Sequence, residues 1–148
     1  PFEPAKWDDK EHLWENKRFV KGAVKTFLYM PLNFGPVIRK LDSKVSTSNA
    51  SFEDNLCLSD HTSLWNMNIY VAVNKEITYA HNIIVSGKFY SKVYEGNFNK
   101  TGEWCKDFDN VLKSKNLKMS KLYMWYTTCP KCAKKYGKNY VVLFGKID

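Results

Sequence analysis

Lys-Leu-Tyr-Met-Trp-Tyr-Thr-Thr-Cys-Pro-Lys-Cys-Ala-Lys-Lys-Tyr-Gly-Lys-Asn-Tyr-Val-Val-Leu-Phe-Gly-Lys-Ile-Asp, residues 121–148, reads as two strands and the connection between them. Residues 122–126 and 140–144 are short, aromatic and β-branched, and turn chemistry separates them. The connection holds the close cysteine pair, Cys129 and Cys132, and is closed off by Gly137. A polar, lysine-rich loop joins two such strands when both belong to a covered sheet. What covers that sheet decides what the chain can do.

Upstream, Trp104, Cys105, Phe108, Val111 and Leu112 recur at helical spacing and mark one face of a helix capped by Asn99 or Thr101. Glu95-Gly96-Asn97-Phe98 is a turn. Residues 83–94 alternate as one long strand, with Ile83, Val85, Gly87, Phe89, Ser91 and Val93 on one side, and Gly87 marks a bulge or bend. The first half repeats the order. Residues 26–32 read as a strand. A helix then starts at Asn33 and Pro36 and carries Val37, Ile38, Leu41 and Val45. A loop, a short strand over 56–58, a turn over 60–68 and a firm strand over 69–73 follow. Residues 1–25 read as an arm packing on the domain formed by 26–148, with Asp8 or Asp9 capping a short helix through Arg18. The expected fold class is α+β: two βαββ repeats with pseudo-twofold symmetry, an eight-stranded, mainly antiparallel sheet, two helices on one side and an open groove on the other. Clefts at such internal interfaces suit small ligands.

The chain has 148 residues, enough to bury a core. Its rings, 16% of the residues with five Trp and nine Tyr, are interleaved with polar side chains, which fits a cavity lining or a carefully satisfied core. The net charge of +8 comes almost entirely from lysine. Nucleic-acid sites favour arginine forks, and Arg18 and Arg39 are the only arginines, so a nucleic-acid partner is not expected. No apolar run is long enough to span a bilayer, and no membrane partner is expected. Four unevenly spaced cysteines do not make a disulfide scaffold, which points to a reducing, cytoplasmic setting and a monomer or homodimer.

Phe89-Tyr90-Ser91-Lys92-Val93-Tyr94-Glu95-Gly96-Asn97-Phe98 followed by Trp104 resembles the GyrI-like pattern of a strand ending in an aromatic-x-Gly turn before a helix that carries Trp. The closing stretch from Tyr126 to Phe144 resembles an uncharacterised bacterial subgroup labelled "hydrolase". Over residues 25–147 the arrangement is similar to the GyrI-like small-molecule-binding fold shared with the SOUL haem-binding proteins. The resemblance implies an aromatic pocket for a hydrophobic, planar or cationic small molecule, with a carboxylate in the pocket. In some members that carboxylate positions water to hydrolyse strained electrophiles. Others sense drugs inside transcription regulators, but residues 1–25 leave no room for a helix-turn-helix module.

Glu95 with Tyr90, Tyr94, Trp104, Trp125 and Tyr126 is the first candidate site. A carboxylate among rings loses hydration and becomes a better base for water. On this reading Glu95, Tyr90 and Tyr126 carry catalysis, and Tyr29, Tyr70, Tyr94, Trp104 and Trp125 hold the ligand. The competing reading makes Glu95 an exposed turn residue and the rings core. If Phe89, Ser91 and Val93 face the helices, Tyr90, Lys92 and Tyr94 face the groove. Cys129 and Cys132 are the second candidate. Zinc needs four ligands, and Cys57, Cys105, His61 and His81 are available but scattered, so a structural zinc, a redox or nucleophilic thiol pair and a plain turn all stay open, and no other cofactor is expected. Asp60, His61 and Ser63 invite a triad reading, but such close neighbours rarely converge. His12 and His81 read as surface residues.

Overall fold

Alternation at period two shapes most of this protein. The computed structural model describes residues 2–127 and 139–147. The elements are α1 (Pro4–Trp7), β1 (Lys10–Phe27), β2 (Met30–Pro31), α2 (Phe34–Thr47), β3 (Phe52–Ser63), β4 (Asn66–Val73), β5 (His81–Glu95), a 3-10 turn at Phe98–Lys100, α3 (Thr101–Ser114), β6 (Met119–Tyr126) and β7 (Tyr140–Ile147). The class is α+β. The expected eight strands are corrected to seven among the described residues: each βαββ run supplies three, and the two-residue β2 is the seventh. The chain divides into two compact units, Pro1–Trp14 with Gly87–Asp148, and Glu15–Ser86. Both divisions fall inside strands, β1 and β5.

In the Glu15–Ser86 unit the strands lie in the order β2-β1-β4-β3, antiparallel throughout. The stripe of α2 buries Leu41 and Val45. Asn33 stands at the N-cap position, yet its side chain does not cap; it accepts instead from the Lys25 backbone N–H at 2.7 Å and ties the helix entry to β1. The expected turn over 60–68 is also corrected. Its polar residues continue β3 to Ser63, with Asp60 opposite Asn68 and His61 opposite Met67, and the turn is only Leu64-Trp65. Ladder hydrogen bonds outweigh the turn propensity of Asp, Thr and Ser when a partner strand is in register.

In the unit built from both ends of the chain the order is β6-β7-β5, again antiparallel. The face of α3 read from the sequence is the face it buries: Trp104, Phe108 and Leu112 pack with Tyr90, Met124, Val141, Leu143 and Ile147. The N-terminal reading is corrected. Asp9 takes a left-handed φ of 52°, which ends α1, and from Lys10 the chain is strand rather than helix. A second correction concerns the faces of β5. The alternation holds, but Tyr90 and Tyr94 face α3, stacking on Phe108 and Trp104 at 5.8 Å each. Period two separates two faces without naming which one a helix covers. Within this unit the face expected to be an open groove is filled with rings: Trp7 lies 5.0 Å from Trp125 and 5.8 Å from Phe144.

Both main helices approach their sheets over a glycine. A Cβ at Gly22 would stand 3.0 Å from Val37 Cγ1, and one at Gly145 would stand 2.9 Å from Met119 Sδ and 3.1 Å from Phe108 Cε2. The space for α3 therefore depends on Gly145. Gly145→Ala should destabilise the protein by about 1–3 kcal/mol through overpacking, read as a lower midpoint in urea with an unchanged slope. A midpoint at or above wild type would mean that α3 does not sit this close.

Candidate functional site

The residues that start the chain are fastened to β5 one after another. The Trp7 carbonyl accepts from Ser91 Oγ at 2.6 Å. Asp8 Oδ1 accepts from the Val93 backbone N–H at 3.0 Å. Asp9 accepts from the Tyr90 hydroxyl. His12 Nε2 meets Ser91 Oγ at 2.7 Å. These contacts use both faces of β5, because odd and even residues point opposite ways.

On the face away from α3, His12 stands in a cluster of rings. Its imidazole lies 5.4 Å from Trp7, 5.6 Å from Phe144 and 6.1 Å from Trp14. Trp14 packs on Phe89 at 4.4 Å, and Phe2 brings an edge to Trp125 at 5.4 Å. Phe89, Ser91 and Phe144 are fully buried, while His12 and Trp14 keep partial exposure. The hydroxyl of Ser91 has one proton, and the Trp7 carbonyl takes it. The His12 contact must then run from Nε2–H to Ser91 Oγ, which puts the lone pair of the neutral ring on Nδ1. The chain of donors, His12 to Ser91 to the Trp7 carbonyl, fixes both the tautomer and the plane of the imidazole. Ser91, buried and already donating, is an orienting group and not an attacking one.

On the α3 side the polar atoms form two matching sets. Tyr90 donates to Asp9, whose Oδ1 is 3.4 Å from Lys115 Nζ, and that ammonium lies over the Tyr90 ring at 5.6 Å. Tyr94 donates to Asp107 Oδ2 at 2.7 Å, Lys92 Nζ reaches the same oxygen at 3.0 Å, and Lys92 lies over the Tyr94 ring at 5.3 Å. Desolvation, then the hydrogen bond to a carboxylate, raises both tyrosines above their usual range. The same hydrogen bonds, opposed by some desolvation and helped by the lysines, hold Asp9 and Asp107 below the usual carboxylate range. At neutral pH both sets therefore consist of neutral phenols donating to ionised carboxylates.

The side chains expected to form one site are placed as follows. Tyr90, Tyr94, Trp104 and Tyr126 share the α3 side, where Tyr126 meets Phe98 edge-on at 5.7 Å and burial pushes its hydroxyl up to about 12. Trp125 faces the opposite way, with Trp7. Glu95 ends β5 and is exposed. Tyr29 and Tyr70 belong to the Glu15–Ser86 unit, Tyr29 exposed and edge-on to His61 at 5.6 Å, Tyr70 in β4 opposite Lys21 and Leu58. Cys57 lies in β3 of that unit, where burial pushes its thiol up to about 12. Cys129 and Cys132 lie outside the described residues. Among the described residues no three His, Cys, Asp or Glu side chains gather as a metal site. Asp60 and His61 are successive strand residues and so point to opposite faces, which dissolves the triad.

Sequence reasoning passed over His12, Ser91 and the two aspartates, Asp9 and Asp107. A signal for His12 was present. Glu11, Leu13 and Glu15 are exposed while His12 and Trp14 are partly buried, an alternation that Leu13, 78% exposed, disguised as helical amphipathicity. The aspartates carried no such signal, since their phenol partners are remote in the chain or on another element.

A family model described as "Bacterial hydrolase" matches residues 1–147. The chain belongs to this bacterial hydrolase family. No curated protein matches it. Two solved structures resemble this family member in fold. One is an uncharacterized conserved protein from Listeria innocua, with a TM-score of 0.67 and 9% identity over 95% of this chain and 92% of that one. The other is a hydrolase from Listeria innocua, with a TM-score of 0.66 and 10% identity over the same shares. The hydrolase-labelled subgroup read from the closing stretch agrees with the family match. Among the described residues of this hydrolase-family chain, no helix is long and apolar enough to cross a membrane.

The tyrosine–aspartate ties set a pH window for stability. For the carboxylates, stability is present above the ordinary 3.8 and is lost as pH falls through their lowered folded-state values. For the tyrosines, it is present below the ordinary 10.0 and is lost as pH rises through their raised values. Asp107→Asn should cost under about 1 kcal/mol at neutral pH, because the pair is solvent-screened. It should also flatten the acid limb of a plot of melting temperature against pH. An acid limb identical to wild type would remove Asp107 from this account.

Proposed function

We propose that this protein hydrolyses a planar, largely apolar small molecule laid against Trp14, at the partly exposed edge of the ring cluster that buries Trp7 and Trp125, with His12 as the base that activates water. The observation that carries the proposal is the oriented imidazole: His12 donates from Nε2 to buried Ser91, which donates to the Trp7 carbonyl, so Nδ1 is the basic nitrogen. A polar pair set among apolar rings, with Ser91 buried and His12 partly so, is costly to desolvate, and membership of a hydrolase family supplies a use for it. In the step proposed, His12 Nδ1 takes a proton from water, the water oxygen attacks the polarised centre, and the imidazolium returns the proton to the leaving group. Ser91 is a positioning residue, so no covalent intermediate forms. Lys6 Nζ already lies 5.4 Å over the Trp7 ring, which favours a neutral planar ligand over a cationic one.

The test is turnover of a panel of aryl esters by the purified protein, with binding followed separately through tryptophan fluorescence. His12→Gln should lower kcat by about 10²–10⁴-fold while leaving fluorescence quenching by the ligand intact. Glu95→Gln should leave kcat unchanged, because Glu95 is exposed at the end of β5. The reverse pattern would return the water-activating role to Glu95. Quenching with no turnover by wild type would make the protein a sequestering module. A burst of product would contradict the water mechanism.

A further inference from the structure

We infer that the paired turns at one end of the Glu15–Ser86 unit dock on an anionic lipid surface. This rests on different residues from the hydrolytic reading and stands independently of it. The end of β1, the turn into β2 and the β3–β4 turn lie side by side. Thr26 N–H donates to the Trp65 carbonyl at 2.9 Å, Tyr29 N–H donates to the Leu64 carbonyl at 3.2 Å, and the Phe27 and Trp65 rings are 5.6 Å apart. Phe27, Leu28, Tyr29, Met30, Leu32, Leu64 and Trp65 are all exposed there, Met30 at 70% and Leu32 at 68%. Leu28 and Tyr29 hold left-handed φ values of 48° and 71°, a conformation that costs side-chain-bearing residues energy. Those two values are what a two-residue hairpin between Phe27 and Met30 requires; it is the number of exposed apolar side chains in one place that calls for an occupant.

Charge selects the occupant. Lys25 stands near the end of β1 with its backbone N–H on Asn33, and the Arg39 guanidinium lies beside Gly35 at the start of α2, while residues 26–34 and 61–68 of the turns carry no acidic side chain. A second copy of this chain would bring the same cations to the same place, so self-association through these turns is opposed. An anionic bilayer accepts both features: aliphatic and Phe side chains enter the acyl boundary, Trp and Tyr suit the interfacial layer, and lysines meet the headgroups. The turns touch such a surface without crossing it.

The experiment is co-sedimentation of the intact protein with phosphatidylcholine vesicles, with and without phosphatidylserine. Wild type should pellet with the anionic vesicles and show a blue shift of tryptophan emission. Lys25→Ala should weaken binding about five-fold, the equivalent of one headgroup cation. Met30→Glu with Leu32→Glu should abolish it at an unchanged melting temperature, since both side chains are exposed. Equal binding to neutral vesicles, no binding to either, or wild-type binding by the double variant would each overturn the proposal. So would a concentration-dependent increase in size without vesicles that the double variant removes, because it would give the turns to a second copy.

Discussion

Four hydrogen bonds between the first dozen residues and β5 hold together the unit built from both ends of the chain. The Trp7 carbonyl, the Asp8 and Asp9 carboxylates and the His12 ring each meet a group of Tyr90, Ser91 or Val93. The partners are separated by about 80 positions, so closing them costs chain entropy that only tertiary packing can offset. That packing is aromatic: Trp7 and Trp14 fit between Phe89, Trp125 and Phe144 on one side of the sheet, while α3 closes the other side over Gly145. The first dozen residues, part of the segment read as an arm packing on the domain, supply half of a polar network.

This fastening also sorts the titratable groups. Burial first, and then the ionised aspartate that each faces, hold Tyr90 and Tyr94 as neutral donors, and the aspartates stay ionised because each is paired with a phenol and a lysine. Those groups satisfy one another and stabilise the α3 side. His12 takes its orientation from Ser91 and the Trp7 carbonyl, which together fix its tautomer. Within this unit, the tyrosine–aspartate pairs and the oriented imidazole lie on opposite faces of one strand.

Much of the fold was legible, for reasons that can be traced residue by residue. The helical faces Val37–Leu41–Val45 and Trp104–Phe108–Leu112 follow from spacing alone, and so do β4, β5, β6 and β7 from runs of β-branched and aromatic residues. The first strand was hidden because Trp7, Leu13, Trp14, Phe19 and Val20 fit a helical stripe nearly as well as an alternating one, and Asp8-Asp9 imitates a helix cap. The faces of β5 were hidden because alternation is symmetric: Tyr90 and Tyr94 fit a helix contact as well as a groove. The site was least legible, since Ser91 Oγ gains meaning only from residues 7 and 12, and no local pattern records a contact of that range. Of the residues expected at the site, Trp125 joins the ring cluster with His12, Tyr90, Tyr94, Tyr126 and Trp104 belong to the α3 side, and Tyr29 and Tyr70 belong to the other unit.

The central claim is that Ser91 fixes His12 with its proton on Nε2 and its lone pair on Nδ1. Long-range proton–nitrogen NMR of the imidazole rings tests it directly, because the chain has three histidines and a His12→Gln spectrum assigns the resonance. The account predicts that neutral His12 shows a single, slowly exchanging Nε2–H tautomer, and that Ser91→Ala lets it average with the other. A ring protonated on Nδ1, or one already averaging in the wild type, would contradict the chain from His12 through Ser91 to Trp7 and the function built on it.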